Sequence, residues 1–197
     1  MKILKVDKKK LKEIINQVID VINLGEVIIC PTDTVYGLLA DAANKNAVKM
    51  IFKIKKISKR KPIPIFVKDI KMAKSLAFIN KKQEEFLKMF WPGKVTVVLK
   101  SKNVLPKIIS GGRETIGLRI PNYKLVNLLL KKSNRPLTGT SANISGKTAS
   151  TKIKEVVKQF KKEKIKPDLV LDVGNLKPSR LSRVLDLTGK KIKILRR

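Results

Sequence analysis

Short strand-like runs separated by longer helix-like ones set the first limit on how this chain can fold. EVIIC (26–30), IPIFV (63–67), VTVVL (95–99), TIGLRI (115–120), LTGTS (137–141), DLVLD (168–172), SRVLDL (182–187) and KIKIL (191–195) are each of strand length. Most are rich in β-branched residues and bounded by turn or charged residues, which favours strands over buried helix segments. Between them the apolar period changes. Leu11, Ile14, Ile15, Val18, Ile19 and Ile22 recur at helical spacing, so residues 8–24 read as an amphipathic helix that stops at Gly25. Helices are also expected from Asn44 to about Lys56, with Val48, Ile51 and Phe52 facing inward, and over 69–77, 80–90, 123–132 and 151–162. Strands and helices that alternate without strict regularity predict a single-domain α/β sandwich over 1–197, a twisted mixed β-sheet flanked by helices.

Composition removes several kinds of chemistry. The chain has no histidine and one cysteine, Cys30, so Ser-His-Asp and Cys-His nucleophiles, histidine proton shuttles and Cys/His zinc sites are excluded, as is an internal disulfide. Cys30 reads as a small buried hydrophobe at a strand end. No apolar run approaches the roughly 18 residues of a membrane span, and the start MKILKVDKKK has no signal-peptide core, so a cytoplasmic, non-membrane protein is expected. The formal charge of +31 suggests nucleic acid. Of the 46 basic residues, however, only eight are arginine, and the lysines are spread along the whole chain. A solvated lysine-rich surface and a dedicated RNA-binding surface both fit that pattern.

Two loops are dense in hydroxyls: PTDTVYG after the strand at 26–30, and TGTSANISG (138–146). Ligands of open α/β sheets collect beyond the carboxyl ends of strands, where such groups and loop N–H donors converge on phosphate or carboxylate oxygens. The same residue types also cap helices and close turns. A third loop, IKKISKRKPIPIFV (54–67), places five cations between Lys55 and Lys61, suited to a polyanion or to plain solvation. In it Lys55 reads as an exposed loop lysine with little weight in folding.

In order along the chain stand PTDTVYGL, Lys55 ahead of Lys61-Pro62, WPGKVTVVL, TIGLRIP, TSANISG and SRVLDLTGKKIKILR. This series resembles the L-threonylcarbamoyladenylate synthase family, the YrdC-like domain, in its short single-domain form. The resemblance implies a nucleotidyltransferase that joins L-threonine, bicarbonate and ATP into threonylcarbamoyl-AMP with release of pyrophosphate, for tRNA threonylcarbamoyladenosine modification. It implies a threonine and bicarbonate pocket of Thr32, Thr34, Tyr36, Lys61, Arg119 and Ser182, with Arg119 gripping the threonine carboxylate bidentately. It implies ATP contacts from Lys55, Lys59, Thr115, Ser141, Asn143 and Arg196, with Lys55 as the catalytic cation. ATP is a substrate here, Mg²⁺ enters with its phosphates, and a downstream tRNA threonylcarbamoyl transferase is the implied partner. The chemistry brings two anionic groups together, so fixed cations and donors could supply most of the catalysis without histidine.

Two positions depart from the family pattern. Ile57 stands where Lys-x-Arg is usual, with Lys56, Lys59 or Arg60 as local substitutes, and Ser182-Arg183 stands where Ser-Thr is usual. With the +31 charge, these departures keep a second reading open: a double-stranded RNA- or ribosome-binding protein of the same fold. Few aromatics (5%) and no RNA-recognition motif would limit its contacts largely to phosphate.

Overall fold

The structure, a computed structural model, describes residues 1–197 except the side chain of Lys8. In chain order the strands are β1 (Lys2–Lys5), β2 (Ile28–Cys30), β3 (Gly37–Leu39), β4 (Ile65–Phe66), β5 (Val95–Lys100), β6 (Thr115–Arg119), β7 (Leu137–Thr138), β8 (Thr140–Ser141), β9 (Leu169–Asp172), β10 (Arg183–Asp186) and β11 (Lys193–Arg196). The helices are α1 (Leu11–Asn23), α2 (Lys45–Lys55), α3 (Ile70–Leu76), α4 (Lys81–Phe90), α5 (Lys124–Ser133) and α6 (Ile153–Lys161). The α/β architecture is as expected. Its strands divide between two mixed sheets, however, ordered β1-β9-β2-β3-β8 and β11-β10-β5-β6-β4-β7.

The division runs through a segment that reads as one strand. Leu137–Thr138 pairs antiparallel with β4 in the six-stranded sheet, whereas Thr140–Ser141 pairs antiparallel with β3 in the five-stranded sheet. Gly139 between them donates its N–H to the Pro64 carbonyl at 2.7 Å, and a Cβ there would lie 2.5 Å from the Phe66 ring. Only glycine lets the chain pass that close while changing sheets.

Side-chain alternation explains why the central strands are apolar throughout. Ile28, Cys30, Leu39, Leu169 and Leu171 join a core with Ile14, Ile15, Val18, Ile19 and Ile22 of α1 and Leu125, Val126, Leu129 and Leu130 of α5. Their neighbours Ile29, Leu38 and Val170 turn to the other face and join Val48, Ile51, Phe52 and Ile54 of α2. With both faces covered, a strand needs continuous hydrophobicity, and each such side chain stabilises the fold by about 1.5–3 kcal/mol. α2 starts at Asn44, whose side chain accepts from the N–H groups of Asn46 and Ala47, and it ends on Lys55, with Lys56 left-handed behind it. That helix end carries a basic side chain into the space between the sheets.

Candidate active site

A cavity of 720 Å³ is lined by residues of both sheets, with Gly37, Thr140 and Ser141 from one and Phe66, Gly117, Arg119 and Val184 from the other. Ten of the twelve residues nominated from sequence line it: Thr32, Thr34, Lys55, Lys61, Thr115, Arg119, Ser141, Asn143, Ser182 and Arg196. Tyr36 and Lys59 do not. Tyr36 is fully buried, its hydroxyl donates to the Gly174 carbonyl at 2.6 Å and accepts from the Val173 N–H, and burial pushes its pKa up to about 12. It ties the first motif to the segment after β9, whose Val173 and Gly174 do not line the cavity either. Lys59 is exposed to solvent.

The hydroxyls of the first motif are already organised. Thr32 Oγ1 donates to the Val35 carbonyl at 2.7 Å and accepts the Thr34 N–H at 3.1 Å. Since its one proton is used, the 3.1 Å contact between the two hydroxyls must have Thr34 donating. Thr34 Oγ1 therefore keeps its lone pairs and can accept from an amine. Both threonines are buried, so this orientation is set before any ligand arrives.

Arg119, at the end of β6, is 3% exposed. Its Nη2 meets Asp33 Oδ1 at 2.6 Å, its Nε donates to the Gly93 carbonyl at 2.8 Å, and the guanidinium lies 5.6 Å from the Phe66 ring centroid. Burial lowers its pKa, while Asp33 opposes that shift. Asp33 is itself fixed by the Asn122 N–H on its other oxygen. The resemblance assigns Arg119 to the threonine carboxylate alone; Asp33, inside PTDTVYGL, is the partner that it has within the protein. The Nε side is occupied, so a bound carboxylate would meet the Nη1 end of the guanidinium.

Lys55 corrects the sequence expectation. It is the last residue of α2 and 5% exposed, not an exposed loop lysine. Its Nζ donates to the carbonyls of Ser141 and Asn143, the latter at 2.9 Å, and to Asn143 Oδ1 at 3.2 Å, while its own carbonyl accepts the Ser145 N–H at 2.7 Å. Three acceptors match the three protons of an ammonium. Burial, with Lys61 nearby, lowers its pKa to about 7. Asn143 is similarly committed: Oδ1 also accepts from Ser141 Oγ at 2.6 Å, and Nδ2 donates to the carbonyls of Ile144 and Lys147. The signal that could have placed Lys55 inside is its spacing from Ile51 and Phe52, four and three residues back on the apolar face of α2.

On the opposite wall, Thr96 Oγ1 and Ser182 Oγ lie 2.9 Å apart, and Arg196 donates Nε to the Ser182 carbonyl and Nη2 to Ser182 Oγ. This joins β5, β10 and β11 at the cavity. Thr115, at the start of β6, lines the cavity with its hydroxyl unpaired among the described residues. Ile57 also lines it, half-buried and packed against the core. None of its suggested substitutes is there: Lys56 pairs with Glu163 at 2.8 Å, and Lys59 and Arg60 are exposed. Arg183 is exposed and off the lining. Among the cavity residues that sequence reasoning missed are Arg113, Lys147, Thr96 and Asp186. Arg113 follows Gly111 and Gly112, both at positive φ, and a glycine pair delivering a cation to a strand start was a usable signal.

A family model covering the Sua5, YciO and YrdC proteins, described as "Telomere recombination", matches residues 20–197. The chain belongs to this family. Among its relatives are a putative threonylcarbamoyl-AMP synthase of Methanocaldococcus jannaschii, 36% identical over 186 residues (94% of this chain, 84% of that protein). A threonylcarbamoyl-AMP synthase of Pyrococcus abyssi is 37% identical over 165 residues, 83% of this chain and 48% of that protein. The structure superposes on P. abyssi Sua5 complexed with L-threonine at a TM-score of 0.89 and 34% identity, covering 99% of this chain and 56% of that one. It also matches Escherichia coli YciO at 0.86 and 25% identity, over 99% of this chain and 93% of that one. The chain thus spans about half the length of the P. abyssi family member and most of the length of YciO.

Proposed function

We propose that this protein is an L-threonylcarbamoyladenylate synthase. The observation that carries this reading is the convergence of three separately nominated loops, PTDT, the Lys55 segment and TSAN, on one cavity with the buried Arg119. Relatives named as synthases and the likeness to a Sua5 structure holding L-threonine support it. The threonine amine attacks bicarbonate, and loss of water gives a carbamate. A carbamate oxygen then attacks the α-phosphorus of ATP, and pyrophosphate leaves. Arg119 takes the threonine carboxylate through its Nη1 end, and Thr34 Oγ1 accepts from the amino group. Lys55 offsets the repulsion between carbamate and phosphate, exchanging one of its loop acceptors for a substrate oxygen. Ser141, Thr115 and Arg196 serve the nucleotide. Donors fixed before binding need no reorganisation as charge moves, which is the main catalytic resource of a site without histidine.

Mg²⁺ fits the donor set. Asp186 is the one carboxylate among the described lining residues; its Oδ1 accepts twice from Thr188, leaving Oδ2 for a cation. One carboxylate with substrate phosphates is an ordinary Mg²⁺ environment, in which the ion neutralises phosphate charge. A cytoplasmic setting and delivery of the product to a tRNA threonylcarbamoyl transferase belong to the same proposal. No helix among the described residues is long and apolar enough to cross a membrane. The RNA- or ribosome-binding alternative is not favoured, because the relatives cited above that carry an activity in their names are synthases.

The test is direct. Purified protein given ATP, labelled bicarbonate and L-threonine should release pyrophosphate in a threonine-dependent way, with serine a poorer substrate because one methyl is worth about 1–3 kcal/mol in a pocket. No threonine dependence, under conditions where an active relative turns over, would sink the reading.

A further inference from the structure

The six cations that line the cavity among the described residues divide into two groups. Lys55, Arg119 and Arg196 spend their donors on protein acceptors. Lys61, Arg113 and Lys147 have no side-chain hydrogen bond or ion pair among the described residues, and all three are exposed. Backbone contacts draw these three segments together. Gly111 abuts the Arg60 carbonyl so closely that a Cβ would sit 2.3 Å from it, and Ile63 N–H donates to the Ile109 carbonyl at 2.9 Å. Ser145 N–H donates to the Lys55 carbonyl, which brings the 143–147 loop beside the Lys55–Lys61 segment. Three unpaired cations on one rim, with Asp186 the sole lining carboxylate among the described residues, repel one another unless a polyanion lies among them.

We propose that Arg113, flanked by Lys61 and Lys147, is the guanidinium that holds the terminal phosphates of the bound nucleotide. This rests on the reading of the cavity as an ATP site and assigns its leaving-group end. The reacting carbamate and α-phosphate belong at the buried, pre-paired groups. The departing pyrophosphate belongs at the wet rim, where uncommitted side chains can follow it out. Arg113 is the one guanidinium of that rim, and its planar fork suits two phosphate oxygens at once, which neither lysine can match. Ile57, half-buried against the core, contributes no charge there, so the load falls on the loop hinged at Gly111 and Gly112.

Titration calorimetry with ATP, AMP and inorganic tripolyphosphate tests this on the whole protein. Arg113→Ala should weaken ATP and tripolyphosphate roughly 10- to 100-fold, the range for lost charge-assisted hydrogen bonds, and leave AMP within about twofold. Arg113→Lys should recover only part of the loss, and Lys147→Ala should shift ATP and AMP in the same unequal manner but less. An unchanged ratio of ATP to AMP affinity in Arg113→Ala overturns the assignment, as does wild-type protein that binds AMP and ATP equally. If wild type binds ATP in an Arg113-dependent way yet shows no threonine-dependent turnover, the synthase reading fails while this assignment stands.

Discussion

Lys55 and Lys61 stand six residues apart and line the same cavity, yet they are opposite kinds of charge. Lys55 is buried at a helix end with three protein acceptors, whereas Lys61 is exposed and has none among the described residues. A buried cation of this kind is part of the architecture, because its removal strands the oxygens it serves. An exposed one is available to ligand and nearly silent in folding. Charge counted along a sequence cannot separate the two, and this cavity uses both: paired groups to hold geometry, free ones to meet a substrate whose charge leaves.

The paired side breaks hardest at Arg119. Arg119→Ala leaves the Asp33 carboxylate, 7% exposed, with only the Asn122 N–H, and uncompensated buried charges of this kind cost about 3–5 kcal/mol. Urea denaturation should show that loss, and the double variant Asp33→Asn/Arg119→Met should recover much of it while remaining inactive with threonine. A loss below about 1 kcal/mol in Arg119→Ala would mean that the pair is open to solvent.

Lys55 and Lys61 give the comparison its sharpest contrast. Lys55→Ala should lower stability by about 1–3 kcal/mol, since the oxygens of Ser141 and Asn143 lose their donor, whereas Lys61→Ala should stay within about 0.5 kcal/mol of wild type. In turnover, Lys55→Ala should also lose roughly 30- to 1000-fold in kcat/KM as transition-state charge goes unmet. Equal stability of the two variants would show that the Lys55 contacts are not maintained in solution.

Much of the fold was legible because it follows from long-range periodicity. All five buried residues of α1 lie at positions that the spacing nominates. β3 was not legible, because three residues running straight out of a hydroxyl-rich loop carry no alternation to read. β8 lies within LTGTS, which reads as a strand, but nothing local announces that Gly139 breaks that run and passes the chain from one sheet to the other. At the site, motifs found most lining residues, since loops at strand ends converge for topological reasons. Pairing was what the sequence hid. That Asp33 belongs to Arg119, 86 residues away, or that Lys55 belongs to Ser141 and Asn143, depends on how the sheets meet.

Proton linkage offers a milder probe of the buried lysine. With its pKa at about 7 in the folded protein against an ordinary 10.5, Lys55 releases its proton on folding between those values. The unfolded chain then binds more protons, so its contribution to stability rises with pH from about 7 towards 10.5. Wild type should therefore gain on Lys55→Met as pH increases in that window. An anion bound beside Nζ raises the pKa again, so ATP binding near pH 8 should take up a proton, seen as a buffer-dependent calorimetric enthalpy that Lys55→Met lacks. Proton uptake that persists in Lys55→Met would assign the titration to another group.

Ile57 tests the boundary between the two kinds of position, and the expected effect is the smallest. Its side chain lines the cavity and also packs against the core, so it is neither a free rim group nor fully interior. In Ile57→Arg the methylene stem can keep part of that apolar contact while the guanidinium reaches the cavity, which limits the stability cost to about 1 kcal/mol. An added cation facing the phosphates should leave kcat/KM equal or raise it, and should partly rescue Arg113→Ala, because the two guanidiniums would serve one polyanion. A stable Ile57→Arg protein that rescues nothing would place residue 57 away from the phosphates. Unfolding of the variant would show that Ile57 belongs wholly to the core and that only the 111–113 loop can bring a guanidinium to this rim.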